Sequence, residues 1–231
     1  MNQVQQSILQ EAVVEGRVIN NGVDTTVFSP SDKNTARKIL NLPVDAQILV
    51  FVAAHHTRNH PFKDFDTIEK ALEQLQLDRK NSRPLIFLAL GAAGAGIKEN
   101  DFEMRFLPYV RDRNELASIY QAADLYIHAA KADTFPNSIL EALACGTPVI
   151  ATGVGGIPEQ IEDGVTGYVT QPADPDDMAN AISRVLNDED LMKSMGKCAV
   201  ESVNKRFKLS DQVDAYLSWY YVCVSKVRDQ G

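Results

Sequence analysis

Strand-length apolar runs alternate with segments of helical periodicity along this chain, and that alternation restricts the fold more than any other feature. Gln47–Ala54 (QILVFVAA), Pro84–Leu90 (PLIFLAL), Asp124–Ala130 (DLYIHAA) and Pro148–Ala151 (PVIA) are almost continuously apolar, as strands covered on both faces must be. Between them, Phe65–Leu75 (FDTIEKALEQL) and Asn114–Ala123 (NELASIYQAA) carry apolar residues at helical spacing, the mark of a helix with one buried face. Thr166–Val169 (TGYV) is a further short strand, and from Asp174 the pattern is helical to the end. Such alternation means βαβ units. The expectation is an α/β fold, a doubly wound parallel sheet of Rossmann-like type, over Arg17–Phe207. Residues 1–16 are expected to be a remnant of a linker or preceding domain, and residues 208–231 a C-terminal helix.

Composition narrows what such a domain can do. A chain of 231 residues, 45% of them hydrophobic, can bury a substantial core. Its net charge of -8 argues against a general nucleic-acid binder. No run of apolar residues is long enough to span a membrane, and the N-terminus has no basic segment followed by an apolar one, so no secretory signal is expected. Cys145, Cys198 and Cys223 are odd in number and widely spaced. They read as reduced thiols in a cytoplasmic chain.

Three stretches imitate sites. Gly91–Lys98 (GAAGAGIK) resembles a phosphate-binding loop, but its lysine is one place late and no Ser or Thr follows. Small residues leaving a strand explain it, and no G-x-G-x-x-G is present to signal a dinucleotide. His55, His56 and His60 in HHTRNH follow a strand and flank Arg58; a loop is the better reading than a metal site, which needs convergent ligands. Asp174 followed by Pro175 in DPDD reads as a helix N-cap with proline in the first turn. No metal site is expected.

From Thr134 to Pro158 there is a single charged side chain, Glu141. A lone carboxylate on a buried helix is costly unless something pairs with it. The strand Asp124–Ala130 ends just before Asp133, and Pro136 and Asn137 mark a helix start, with Asn137 or Ser138 as its cap. Glu141 then lies about one turn in. Ligands of open α/β sheets sit at the carboxyl ends of strands, so the amides near Asn137, Ser138 and Ile139 would face the crevice as an anion site. The helix dipole also favours a carboxylate there. Two acidic groups beside an anion-binding turn suit a ligand with phosphates and hydroxyls, and a carboxylate can accept two hydrogen bonds from a vicinal diol such as a ribose. A Glu141 that only forms a salt bridge or a cap stays open on these grounds.

The stretch DTFPNSILEALACGTPVIATGVGGIPEQIEDGVTGYV, Asp133–Val169, resembles the donor-binding signature of the family-4 (group 1) retaining glycosyltransferases of GT-B fold. Their mark is two acidic residues separated by seven, followed by EA-A-G-PV, and Asp133 and Glu141 hold those positions. INNGVDTTVFSP (Ile19–Pro30) resembles the entry to their C-terminal domain, and FKDF (Phe62–Phe65) their basic segment. The resemblance covers nearly the whole chain. It implies that Glu141 holds the nucleotide ribose, that Asp133 contacts the donor sugar with the backbone of Phe135, Pro136, Asn137 and Ser138, and that Lys63 binds the diphosphate. Arg58 has the spacing of a further family arginine, although His55 sits nearer the strand end. For both bases a solvated surface charge is the alternative. Asp133 is one methylene shorter than the commoner Glu, and Asp64 stands where a Gly is usual.

The resemblance therefore implies a catalytic set of Asp133, Glu141, Lys63 and Arg58, with Phe135–Ile139 and Glu141 binding the nucleotide sugar. No cofactor is implied. The donor, UDP-, GDP- or ADP-linked, is a substrate, and a hexose-type sugar would pass with retention to a glycan or lipid-linked acceptor. Family members have two Rossmann-like domains, of which only the second is expected here. The last helix would cross to the absent N-terminal domain or cover a partner chain, and a homodimer through it is a further expectation. One face of Gln212–Val224 is expected to pack on its own domain. The full enzyme would be cytoplasmic, with a peripheral place at the inner membrane face. A non-catalytic nucleotide-sugar binding module and a nucleotide-sugar 2-epimerase are the alternatives; the spaced acidic pair and GGIPEQI favour the transferase.

Overall fold

The computed structural model describes residues 16–53, 61–78, 83–91 and 94–228. Among them, one seven-stranded sheet forms the centre of the domain. In chain order the strands are β1 (Gln47–Val52), β2 (Leu85–Leu90), β3 (Ile97–Glu99), β4 (Phe102–Leu107), β5 (Leu125–His128), β6 (Val149–Thr152) and β7 (Gly167–Thr170). Their order across the sheet is β3-β4-β2-β1-β5-β6-β7. All neighbours are parallel except β3, which runs antiparallel to β4 at the edge.

The near-continuous apolar strands are explained by the layers on either side. Along β1, Ile48 and Val50 enter one core while Leu49 and Phe51 enter the other. The first core is closed by helices α1 (Lys33–Ile39), α3 (Arg113–Ala122), α4 (Asn137–Ala144), the short α5 (Ile157–Gln160) and one face of α7 (Glu189–Arg206). The second is closed by α2 (Phe65–Asp78) and α6 (Pro175–Leu186). The last helix, α8, spans Leu209–Arg228.

Several boundaries are set by local chemistry. Asp174 caps α6 by accepting from the Asp177 amide at 2.9 Å, with Pro175 in the first turn. Asp32 and Asp112 cap α1 and α3. At the start of α4 the cap position is Pro136, with no side-chain capping bond. The expected cap by Asn137 or Ser138 is not formed, because their side-chain oxygens are taken by Asn21 and Tyr126 instead. β3, β4, α1 and α5 are elements the apolar runs did not signal. β4 mixes charged and apolar residues because it is only partly covered, next to the exposed β3.

At the other end of the strands, Asp124 accepts from Arg37, from Lys33 and from the Ile48 amide at 2.7–2.8 Å. Arg37 is buried and also donates to the carbonyls of Ala122, Val44 and Ala46. This knot pins the start of β5 to the start of β1 and so fixes the two central strands.

Candidate donor-binding site

β1 and β5 are neighbours in the sheet, yet the chain leaves β1 toward β2 and β4 before returning to β5. The strand order reverses between them, and a crevice at the carboxyl ends of the strands is the usual consequence. Two segments meet at that point. After β1 the described chain resumes before Phe62, and Phe62–Asp64 runs against the residues that leave β5. The Lys131 amide donates to the Phe62 carbonyl at 2.8 Å, the Asp64 amide donates to the Ala129 carbonyl at 3.1 Å, and Lys63 bridges Ala130. Asp64 is buried just before α2 and accepts from the Thr67 hydroxyl at 2.7 Å. The residue standing where glycine is usual thus braces the first turn of the following helix. Arg58, His55, His56 and His60 lie outside the described residues.

The segment beyond β5 is held at four places. Thr152 at the end of β6 accepts from the Ala130 amide at 2.9 Å. Gly156 donates to the Thr134 carbonyl at 2.8 Å. Gly155 has φ +55°, and a β-carbon there would stand 1.7 Å from the Asp133 carbonyl oxygen. The glycine pair of GVGG is therefore required by the close approach of its loop to Asp133 and Thr134. Gln160, fully buried in α5, donates to the Pro136 carbonyl at 3.0 Å. Asn21 donates to the Asn137 side chain at 3.2 Å. Neither Asn21 nor Gln160 was singled out from the sequence. Only the neighbourhood of Asn21, in the entry segment, and the GGIPEQI stretch signalled them.

The anchored segments bring Lys63 and Asp133 together, 2.9 Å between Nζ and Oδ2. His128, the last residue of β5, lies beneath them with Nε2 3.1 Å from Lys63 Nζ and 3.4 Å from Asp133 Oδ2. Burial alone would raise the Asp133 carboxyl. The Lys63 ammonium, which donates to it at 2.9 Å, works against that, and the group is held at about 2. Burial lowers His128, and the lysine charge adds to that against the pull of Asp133, which favours the neutral ring.

Glu141 has a partner after all. The Tyr120 hydroxyl donates to its Oε2 at 3.1 Å. Burial raises the Glu141 carboxyl, opposed by that hydrogen bond and by the Arg113 charge. The side chain is half-buried, so it keeps acceptor capacity for a ligand. The structure thus joins Lys63 to Asp133 and sets Phe135–Ile139 at an α4 terminus without a side-chain cap, with Glu141 further along the same helix. A cavity of about 560 Å³ lies elsewhere, around Asp124 and Pro148 at the opposite ends of the strands, and shares no residue with this set.

A mostly parallel, doubly wound sheet with helices on both faces is the architecture of a Rossmann-like GT-B domain. The family described as "Glycosyl transferases group 1" matches residues 32–201, and the chain belongs to that family. Among curated relatives, it is 33% identical over 223 residues to D-inositol 3-phosphate glycosyltransferase of Mycolicibacterium smegmatis, covering 91% of this chain and 48% of the relative. D-inositol 3-phosphate glycosyltransferase 2 of Catenulispora acidiphila is 34% identical over 202 residues, 80% of this chain and 46% of that protein. The chain thus spans about half the length of the curated relatives it matches. Among solved structures, sucrose-phosphate synthase of Thermosynechococcus elongatus superposes with a TM-score of 0.78 at 25% identity, over 96% of this chain and 57% of that one. The C-terminal domain of a glycosyl transferase group 1 protein of Francisella tularensis has the same fold, with a TM-score of 0.66 at 21% identity over 81% of this chain and all of that one.

Proposed function

We propose that this chain is the donor-binding half of a retaining glycosyltransferase and holds a nucleotide sugar between Lys63, the α4 N-terminus and Glu141. The observation that carries the reading is the Lys63–Asp133 pair, 2.9 Å apart at the switch point of the sheet. Each group is a counter-charge to the other. A bound nucleoside diphosphate would take over Lys63, and the sugar hydroxyls would take over Asp133. Glu141 would accept the ribose hydroxyls. The leaving group of the transfer is a nucleoside diphosphate, and Lys63 with the amides of α4 would stabilise its growing charge. Arg58 is assigned to the same task from its spacing. On this reading no divalent metal is required. A hexose-type sugar would pass to a glycan or lipid-linked acceptor held by a second domain.

The donor groups all lie on this one domain, and the acceptor side belongs to what the longer relatives add. Positioning two reactants is worth roughly 7–11 kcal/mol of barrier, so the chain alone binds donor without transferring sugar. A one-sided site leaves the ligand partly solvated, and the dissociation constant should be on the order of 0.1–1 mM. The test is calorimetry with UDP-, GDP- and ADP-linked sugars, with and without chelator, followed by an assay for nucleoside diphosphate release with candidate acceptors. Saturable binding that survives the chelator, with no turnover, is the expected result. No binding of any donor, or binding only with magnesium or manganese, overturns the site assignment. Robust turnover overturns the division of labour.

A further inference from the structure

One buried titratable side chain, His128, has no part in the binding scheme above, yet it touches two of the charged groups in it, Lys63 and Asp133. Its ring nitrogens are both engaged. Nε2 lies 3.1 Å from Lys63 Nζ, and Nδ1 lies 3.0 Å from the Tyr126 hydroxyl. The Tyr126 hydroxyl in turn lies 2.9 Å from Ser138 Oγ, in the first turn of α4. His128 and Tyr126 are fully buried, so no solvent can substitute for a mismatched partner along the row.

The direction of every bond in the row follows from its first member. A lysine ammonium only donates. Nε2 of His128 must therefore be the bare nitrogen that accepts, and in a neutral imidazole the proton is then on Nδ1. Nδ1–H donates to the Tyr126 oxygen. That hydroxyl hydrogen is left to donate to Ser138 Oγ, and the Ser138 hydroxyl hydrogen has no acceptor among the described residues. The opposite direction would set Nε2–H and an ammonium 3.1 Å apart as two donors. The longer 3.4 Å approach of Nε2 to Asp133 is then a contact between two acceptors, bridged by the ammonium that donates to both.

Resting on the donor-binding reading of the site, we propose that His128 is a positioning residue which, as its Nδ1–H tautomer, fixes the polarity of the row from Lys63 to Ser138, so that the Ser138 hydroxyl is a dedicated donor to the phosphates of a bound nucleoside diphosphate. Lys63 supplies charge and Ser138 supplies a directed hydrogen bond. Tyr126 and His128 hold the two in one orientation without touching the ligand.

Two measurements test this. In the ligand-free chain with ¹⁵N-labelled histidine, long-range proton–nitrogen spectra report the tautomer, and the His128 signals are assigned by their loss in His128→Gln. The neutral Nδ1–H pattern is expected; an Nε2–H or doubly protonated ring overturns the proposal. In calorimetry with UDP, GDP and ADP, Ser138→Ala should weaken whichever of them the wild-type chain binds by about tenfold, the scale of a hydrogen bond to a charged group. Ser138→Thr, which keeps the hydroxyl, should stay within about twofold of wild type. Tyr126→Phe should lose about as much as Ser138→Ala, and the double variant no more than either, because both cut one row. Wild-type affinity in Ser138→Ala, or additive losses, overturns the role of the row. Should the wild-type chain bind none of the three, the donor-binding reading fails and the Ser138 assignment with it, while the tautomer still decides the direction of the row.

Discussion

Glu141 is a half-buried carboxylate whose one donor among the described residues is a buried tyrosine hydroxyl 3.1 Å away. An acceptor group held this way is oriented but not saturated, since a carboxylate offers about four lone-pair sites. Glu141→Gln keeps the shape and removes the charge. It should weaken nucleoside diphosphate binding by roughly 1.5–3 kcal/mol, read by calorimetry on a variant whose thermal transition is unchanged; wild-type affinity would remove Glu141 from the site. Asp133 makes the complementary case in pH. Its folded-state carboxyl is held at about 2, below its ordinary value, so its contribution to stability is complete above pH about 4 and is lost as pH falls toward 2. Asp133→Asn should therefore cost at most about 2 kcal/mol near neutrality, a deficit that shrinks as denaturant midpoints are taken from pH 4 downward. A deficit that stays constant with pH would mean that the Lys63–Asp133 pair does not form in solution. Asp133, Glu141 and Lys63 could be picked out of the sequence because charge is rare around the first two and all three carry a family spacing. His128, Tyr126 and Gln160 could not. Each is a polar side chain whose meaning lies in a partner distant in the chain, and on a buried strand or helix such a residue looks like any other core position.

At the level of elements, the strands that were legible are those covered on both faces, where the buried environment dictates the composition of every position. β1 and β2 are buried almost throughout. β4 escaped notice because its outer residues, Glu103 and Arg105, pair with each other near the edge of the sheet rather than facing a helix. The long helical tail was legible as helix, and a separate last helix was expected from residue 208, but the break at Asn187 was not legible, since it carries neither glycine nor proline. Glycine did mark the loop after β6, and its effect can be measured. Gly155→Ala places a β-carbon against the Asp133 carbonyl at a positive φ, so the loop or Asp133 must move. The strain alone costs about 1–3 kcal/mol. We expect denaturant titration to register that loss and calorimetry to register weaker donor binding in the same variant. A stable variant with normal binding would show that the loop and Asp133 are not in contact.

Taken whole, the molecule is unevenly stabilised. None of the described side chains of α8 is buried, and Val213, Tyr216, Leu217, Tyr220 and Tyr221 are exposed. The expectation that one face of this helix packs on its own domain is not met. Its ties are at its start, where Gly22 donates to Gln212 at 2.9 Å and Leu209 to the Val23 carbonyl at 3.0 Å, with Arg17 stacked over Trp219 further along. A helix without a buried face opens at little cost. Hydrogen exchange should find the α8 amides from Tyr216 onward exchanging much faster than those of α7, which buries Met195, Ala199 and Val203. Equal protection would show that something covers α8 in solution, a second copy of the chain being the first candidate to weigh by light scattering.

The pinning of β5 beside β1 also has a consequence in time. Ile48 and Asp124, whose bond fixes that pairing, are 76 positions apart, and Lys63 and Asp133 are 70 apart. No local hairpin can bring either pair together, and contacts of such long range form only after the intervening chain has been gathered in. The centre of the sheet and the lysine–carboxylate pair must therefore mature in the same event. In a refolding experiment the recovery of nucleotide binding should follow the slowest phase of sheet formation, with no portion of it ahead. A site that regains its ligand before the sheet is complete would mean that its two halves find each other without the scaffold between them.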